Sequence, residues 1–228
     1  MSNRSFPFVR KQSLARHPSA FLLAAQLLSL ALYAAFDGTP SGRVLLSSFG
    51  VLVLVLAVWV VNRSPAINWI AWLLAAPAAA LSLLGLVNPD LLVWGALFEA
   101  ALYFYTAGSL IAYMMGDYRV TLDELFAAGA TFTLLAWGYA YLYLVCQAWS
   151  PGSIAGGPNP DQPRTFIELL FLSSTNLSAT GLSDIMPVTP PGRVLAILEQ
   201  FTGIGYVAIV VSRLVGLTLT RHDRKRAS

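Results

Sequence analysis

The chain has 228 residues, of which 57% are hydrophobic and only 11% are charged, and its formal net charge is +3. A soluble globular domain carries about 25% charged residues, so this composition excludes that class and indicates an integral membrane protein. The sequence contains no phosphate-binding loop, no dinucleotide fingerprint and no nucleophile with a plausible base. It therefore predicts neither an enzyme nor a nucleic-acid-binding protein.

Apolar runs of about 20 residues are long enough to cross a bilayer as helices. The sequence has six such runs, numbered helix one to helix six in chain order: Ala20–Phe36, Val44–Val61, Ile67–Val87, Leu91–Met115, Leu125–Trp149 and Arg193–Leu219. These runs predict an all-α membrane protein with six transmembrane helices. The predicted organisation is an N-terminal tail (1–19), a four-helix domain (20–115), a linker (116–124), a two-helix domain (125–220) and a basic C-terminal tail (221–228).

Basic residues cluster beyond both ends of the predicted helices: Arg4, Arg10, Lys11 and Arg16 on one side, and Arg221, Arg224, Lys225 and Arg226 on the other. Positive residues favour the cytoplasmic side of a membrane, so both termini of this multi-pass plasma-membrane protein are predicted to be cytoplasmic. The same clusters can attract anionic lipids, which makes membrane lipids expected partners. Cys146 and the two histidines have no metal-ligand spacing, so no cofactor and no bound metal is predicted.

Helix four contains no Arg or Lys, which excludes the row of gating charges that a voltage sensor needs. Its one ionisable residue is Glu99. Three interpretations of Glu99 are open: a pair with a tyrosine such as Tyr139 or Tyr141 on helix five, a neutral carboxyl, or a place in a proton relay. After the linker, Thr121 and Glu124 have the spacing of a capping box, which predicts that helix five begins there.

The segment Asn176–Pro187, between helices five and six, is too rich in Ser, Thr and Gly to cross a bilayer. Irregular backbone at membrane depth is tolerated only where it is buried in protein or lines a wet cavity. A candidate short helix, Arg164–Thr175, precedes it, and Glu168 near its start complements the positive end of the helix dipole. The pattern therefore predicts a re-entrant helix followed by a loop inside the membrane.

This order of outer helix, re-entrant helix, filter-like loop and inner helix resembles the pore of the tetrameric potassium-channel family. The family filter reads Thr-Thr-Val-Gly-Tyr-Gly-Asp, and its places are occupied here by Ser178, Ala179, Thr180, Gly181, Leu182, Ser183 and Asp184. By this resemblance, which spans residues 166–216, Asp184 is the acid of the outer mouth. Gly203 stands where the family commonly has a hinge glycine, and Glu199 where related sequences often have Glu.

Three of the departures from the family pattern bear most on the chemistry of the filter. Ser183 replaces the second glycine, at a cost of about 1–2 kcal/mol if the left-handed backbone is kept. Ala179 replaces a threonine hydroxyl. Leu182 replaces the tyrosine of a hydrogen-bonded cuff, and Phe171-Leu172 offers no indole partner for one. The permeant ion implied by the resemblance is K⁺, and a poorly selective pore that also passes Na⁺ is the open alternative.

The resemblance implies a passive cation channel. It also implies a homotetramer, because one chain supplies one pore loop and a closed pore needs several. Asp184 would attract cations or cap a turn before Pro187. Glu199 would bond to the pore helix or contact permeant ions. Two other functions are open: a non-conducting scaffold or sensor, and a proton-coupled transporter that uses Glu99 and Glu199.

Overall fold

A computed structural model describes residues 17–36, 40–61, 67–85, 87–88, 90–116, 121–159 and 162–216. The described residues form helices and one small antiparallel sheet, in the order α1 Pro18–Phe36, α2 Pro40–Val61, α3 Asn68–Leu84, α4 Asp90–Met114, α5 Leu122–Trp149, β1 Ile154–Gly156, α6 Phe166–Leu177, β2 Ile185–Pro187 and α7 Pro190–Tyr206. A π-helical turn, Val207–Val211, continues α7, and the helix then runs to residue 216. Residues 1–16 and 217–228, which contain the predicted basic clusters and the predicted cytoplasmic termini, and residues 117–120 of the linker lie outside the described residues.

Each of the six predicted transmembrane runs coincides with an observed helix. Three helices are long and apolar enough to cross a membrane: Asp90–Met114, Leu122–Trp149 and Pro190–Gly216. The other apolar stretches are shorter over the residues searched: Pro18–Tyr33, Leu52–Val61, Asn68–Leu84 and Phe166–Leu177. A largely helical membrane protein is therefore confirmed, whereas six crossings stay a prediction.

Two helices of the C-terminal half begin at capping boxes. At α5, Thr121 Oγ1 accepts from Glu124 N (3.2 Å) and Glu124 Oε2 accepts from Thr121 N (3.0 Å), which confirms the predicted box. At α6, Thr165 and Glu168 make the same pair of bonds, at 3.4 and 2.6 Å. Because Thr165 is the N-cap, α6 begins two residues later than the predicted helix and extends to Leu177.

Helix α5 lies at the centre of the chain and packs against α1, α4, α6 and α7. A cluster of aromatic rings joins these elements, with centroids of neighbouring rings 4.6 to 6.3 Å apart: Tyr33 of α1, Tyr103 of α4, Trp137 and Tyr141 of α5, and Phe166 of α6. The predicted four-helix and two-helix domains therefore share one hydrophobic core. The linker between them separates two parts of the sequence but not two packed units.

Only one face of helix α7 is covered by other helices of the chain. Glu199, Gly203, Tyr206 and Val210 recur every three or four residues and are buried against α5 and α6. The opposite face exposes large apolar side chains: Val194, Ile197, Leu198, Phe201, Ile204, Val207 and Ile209. Of the three long helices, α7 is the least covered. The chain thus presents an apolar helix face beside the exposed loop that follows α6.

Candidate functional site at the loop between α6 and α7

Helix α6 ends in a tight hydrogen-bonded cap. Ala179 N donates to Asn176 O (3.0 Å) and Thr180 N donates to Thr175 O (2.9 Å), the pattern of a Schellman motif. The residue after the C-cap of this motif has a left-handed backbone, and Ala179 has φ of 58°. A residue with a Cβ pays about 1–2 kcal/mol for that conformation. The strain in this loop is therefore located at Ala179.

The carbonyl oxygen of Thr175 organises the first half of the predicted filter. Besides Thr180 N, it accepts from Gly181 N at 3.2 Å. The hydroxyl oxygens of Ser178 and Thr180 each lie 3.3 Å from the same carbonyl, and 3.1 Å from each other. Residues 178–181 therefore wrap around the end of α6 and expose their outer surface to solvent.

Ser183 does not take the conformation of the glycine that it replaces. Of the described residues other than glycine, only Ala179 has φ in the left-handed region, and Gly181 has φ of 64°. Ser183 Oγ instead accepts from Ile185 N at 3.3 Å. The expected strain at Ser183 is thus absent, because the backbone there does not repeat the family's filter geometry.

Asp184 has an exposed side chain at the outer end of this loop. In the turn that follows, Ser183 Oγ accepts from Ile185 N, and a capping role for the Asp184 carboxylate stays a prediction. The backbone carbonyl of Asp184 accepts from Gly157 N at 3.2 Å. The carboxylate is therefore presented to solvent while its backbone is held in place.

Glu199 is completely buried and hydrogen-bonds to two other helices. Tyr143 of α5 donates its hydroxyl to Glu199 Oε2 at 2.8 Å, and Asn176 Nδ2 of α6 donates to the same oxygen at 3.3 Å. Ser173 of α6 bonds to Oε1. Glu199 therefore bonds to α6, and it links α5, α6 and α7.

The Ser173 hydroxyl lies between two acceptors but has a single hydrogen. Its oxygen is 2.7 Å from the backbone carbonyl of Ala136 and also bonds to Glu199 Oε1. Both bonds form together when Glu199 carries a proton and donates it to Ser173 Oγ. In the described part of the chain no cation pairs with Glu199, and an unpaired buried charge would be costly. The geometry fits a neutral carboxyl that cross-links helices.

Glu99 is also buried, but it has fewer partners. Ser82 of α3 donates to Glu99 Oε1, while Oε2 has no hydrogen-bond partner among the described residues. Tyr141 neighbours this carboxyl. The predicted pair between Glu99 and Tyr139 is not formed, because the Tyr139 hydroxyl bonds instead to Thr202 Oγ1 of α7 at 2.7 Å.

Gly203 is a point of close contact between α7 and α6. A Cβ at this position would overlap the carbonyl oxygen of Leu177 and would lie 3.0 Å from Leu177 Cα. The helix is regular at Gly203, and the irregular π-helical turn begins four residues later, at Val207. The structure therefore assigns Gly203 to packing against the end of α6, and its role as a hinge stays a prediction.

Ser173, Asn176 and Tyr143 were not predicted from the sequence as partners of Glu199. Ser173 and Asn176 are three residues apart, so they share one face of α6, and their place in the polar run that ends this helix was the available signal. Tyr143 is one of several aromatic residues on α5, and nothing in the neighbouring sequence distinguishes it. Its role depends on the rotation of α5, which no local pattern reports.

Residues 100–219, more than half of the chain, match a family model described as "Ion channel". This protein belongs to the ion channel family. The match contains α5, α6, the filter-like loop and α7, and thus the whole Glu199 network. The chain is also 28% identical over 105 residues to Protein LctB of Bacillus caldotenax, covering 45% of this chain and 78% of that protein.

A second relative, Protein LctB of Geobacillus stearothermophilus, is 30% identical over 111 residues, covering 46% of this chain and 79% of that protein. No solved structure matches. Membership of the ion channel family confirms the predicted class of membrane transport protein. Glu99 lies one residue before the region that the ion channel family model matches, whereas Glu199 lies inside it.

Proposed function

We propose that this protein is a cation channel in which ions diffuse passively past the loop Ser178–Asp184. The observation that carries the proposal is the arrangement of α6 in a member of the ion channel family. A short, N-terminally capped helix ends at an exposed loop rich in hydroxyls and is cross-linked to α7 through Glu199. The C-terminal end of a helix carries partial negative charge, which stabilises a cation there.

The oxygen atoms of the loop suit alkali cations, because channel filters replace the hydration shell of the ion with carbonyl and hydroxyl oxygens. K⁺ is the proposed ion. The open alternative is a pore that also admits Na⁺. The cap at Ala179 supports this alternative, since it directs the backbone of residues 178–181 around Thr175. Asp184 supplies an exposed carboxylate that would raise the local concentration of cations.

The proposed assembly is a homotetramer in the plasma membrane. One loop per chain cannot enclose a pore, and a cyclic arrangement brings several loops to one axis. It would also cover the apolar face of α7 that includes Phe201 and Ile204. Exposed tryptophans near helix ends, Trp69 and Trp94 among them, fit the headgroup level of a bilayer, where lipids would contact the protein.

The test is K⁺ and Na⁺ flux from purified protein in liposomes, with the variants Asp184→Asn and Ser183→Gly. Asp184→Asn is expected to lower cation flux several-fold. Asp90→Asn is the matched control, because Asp90 is an exposed acid at the start of α4, on the same predicted side of the membrane but outside the loop. Equal flux in the two Asn variants would remove Asp184 from the mechanism.

The second candidate function is a non-conducting membrane scaffold. The wrapping of residues 178–181 around Thr175 favours it, because the Thr175 carbonyl, which accepts N–H and hydroxyl groups of these residues, is not free to ligate an ion. Absence of flux from the wild type and from both loop variants would overturn the channel proposal in favour of this one. Flux that appears only in Ser183→Gly would indicate a channel whose natural filter is closed.

A further inference from the structure

The chain that leaves the filter-like loop is held by a two-stranded ladder, which we term the outer strap (residues 153–157 and 184–188). Ile154, Ala155 and Gly156 pair with Pro187, Met186 and Ile185 in antiparallel register. The ladder continues at both ends, where Val188 N donates to Ser153 O at 2.9 Å and Gly157 N donates to Asp184 O at 3.2 Å. The last of these bonds holds the residue directly after Ser183.

The first strand of the outer strap is itself anchored to helices α5 and α6. Arg164 is buried, with 4% of its surface exposed, and donates to Gly156 O at 2.6 Å and to the carbonyls of Asn159 and Gln162. Its guanidinium lies 3.9 Å from Glu168 in the first turn of α6. Its backbone exchanges two hydrogen bonds of 2.9 Å with the side chain of Gln147 on α5.

The two strands approach so closely that a side chain would not fit at Gly156. This glycine has φ of 99°, and an added Cβ would overlap the carbonyl oxygen of Asp184 and lie 3.1 Å from Ile185 Cα. Glycine alone combines such a φ with such close approach of two backbones. A change in the first strand is therefore transmitted directly to Asp184.

The filter-like loop is thus held at both ends. Ser178, Thr180 and Gly181 are bonded to the Thr175 carbonyl, and Asp184 is bonded through its backbone to Gly157 of the outer strap. Only the short backbone link through Leu182 and Ser183 lies between these two anchors. The position of this link depends on the position of the strap.

We propose that the outer strap positions the outer half of the filter, and that Gly156 is its positioning residue. In the potassium-channel pattern a tyrosine of the filter and an indole of the pore helix share this task, and here Leu182 and Phe171 stand in those places. Backbone pairing to an anchored strand takes over from that side-chain cuff. The inference rests on the proposed function of the loop.

The first experiment compares Gly156→Ala with Gly152→Ala. Both glycines have left-handed φ, 99° and 76°, so both variants carry similar backbone strain, but nothing lies within 4 Å of a Cβ at Gly152. Gly156→Ala is expected to shift the K⁺/Na⁺ flux ratio in liposomes by about tenfold, which corresponds to about 1.4 kcal/mol of discrimination. Gly152→Ala is expected to keep the ratio of the wild type.

A second pair of variants breaks the ladder without adding volume to it. Met186 pairs with Ala155 midway between the two terminal hydrogen bonds, so the alternation of an antiparallel ladder places its N–H in a hydrogen-bonded pair. Met186→Pro removes that N–H, whereas Met186→Ala keeps it, and the native side chain is 59% exposed. The proline variant is expected to shift the flux ratio and the alanine variant to leave it unchanged. If Gly156→Ala does not fold, the two Met186 variants test the positioning role of the outer strap in its place.

A labelling experiment separates failure of this inference from failure of the channel proposal. Ser183→Cys is introduced with Cys146→Ala, which removes the buried native thiol, and its rate of modification by a charged thiol reagent is measured with and without Gly156→Ala. The rate is expected to change about tenfold with Gly156→Ala and to stay the same with Gly152→Ala. Unchanged labelling and an unchanged flux ratio would overturn the positioning role. Absence of wild-type flux with altered labelling would overturn only the channel.

Discussion

Two buried glutamates, Glu99 in α4 and Glu199 in α7, differ in how completely their carboxyl oxygens are hydrogen-bonded. Glu199 is fully buried and has partners on both oxygens: Ser173, Asn176 and Tyr143. Glu99 is 7% exposed and has the Ser82 bond, with Oε2 unpartnered among the described residues. A buried acceptor without a partner loses its hydration without compensation. The α5–α6–α7 region is therefore specified by hydrogen bonds, and the α3–α4 region mainly by packing.

Gly203 on α7 and Gly95 on α4 also differ in how closely a neighbouring helix approaches them. At Gly203 an added Cβ would overlap the backbone of Leu177, whereas at Gly95 it would lie 3.2 Å from Ser82 Oγ and 3.3 Å from Ser82 N. The α6–α7 contact is thus the tighter of the two. The region that contains the proposed conduction path is the one whose geometry is determined most closely.

The largest expected effect is that of Glu199→Ala, which leaves the buried donors of Tyr143 and Asn176 without their acceptor and removes the bond to Ser173. The variant is expected to lose about 3 kcal/mol or more of unfolding free energy, measured by chemical unfolding in micelles with tryptophan fluorescence. Glu199→Gln retains an acceptor and a donor and is expected to lose about 1 kcal/mol. Equal losses in the two variants would mean that a carboxylate charge, rather than the hydrogen-bond network, stabilises this contact.

Gly203→Ala is expected to destabilise the fold by about 1–3 kcal/mol, because α7 must move away from the end of α6. The control is Gly205→Ala on the same helix, where nothing lies within 4 Å of an added Cβ. That change is expected to be neutral or to stabilise by up to about 1 kcal/mol through helix propensity. Thermal unfolding of both variants tests the comparison, and equal midpoints would contradict the close contact.

Ala179→Gly is expected to stabilise the protein by about 1 kcal/mol, because glycine adopts φ of 58° without the clash of a Cβ. The same exchange at Ala101, which is exposed within α4, should destabilise by about 1 kcal/mol. The two variants therefore differ in sign, and their unfolding midpoints measure this directly. A lower midpoint for Ala179→Gly would show that the Schellman cap is not formed in solution.

Glu99→Met is expected to have the smallest effect, within about 1 kcal/mol, because it removes one hydrogen bond together with one unpartnered oxygen. Cation flux in liposomes is expected to match that of the wild type. Loss of flux with unchanged stability would instead support a proton-relay role for Glu99. That result would reverse the contrast between the two glutamates.

Several features of the fold could be predicted because their signals are local. The capping box at Thr121 and Glu124 lies within four residues of sequence, and the apolar runs located the helices to within a few residues. The bond between Glu199 and α6 was anticipated from the resemblance alone. The conformation of Ser183 was not, because a matched position does not guarantee a matched backbone.

Local signals were enough to predict the membrane class, the positions of the helices and the place of the loop between α6 and α7, since apolar periodicity, capping pairs and turn-forming residues act over a few neighbouring positions. The packing of the helices in three dimensions, by contrast, determined that Ser82, rather than Tyr139, reaches Glu99, and that Tyr143 completes the Glu199 network. The tertiary structure also decided that residues 153–157 pair with residues 184–188. These contacts join segments far apart in the chain, and they depend on how each helix is rotated and how closely two backbones approach, which no short stretch of sequence encodes.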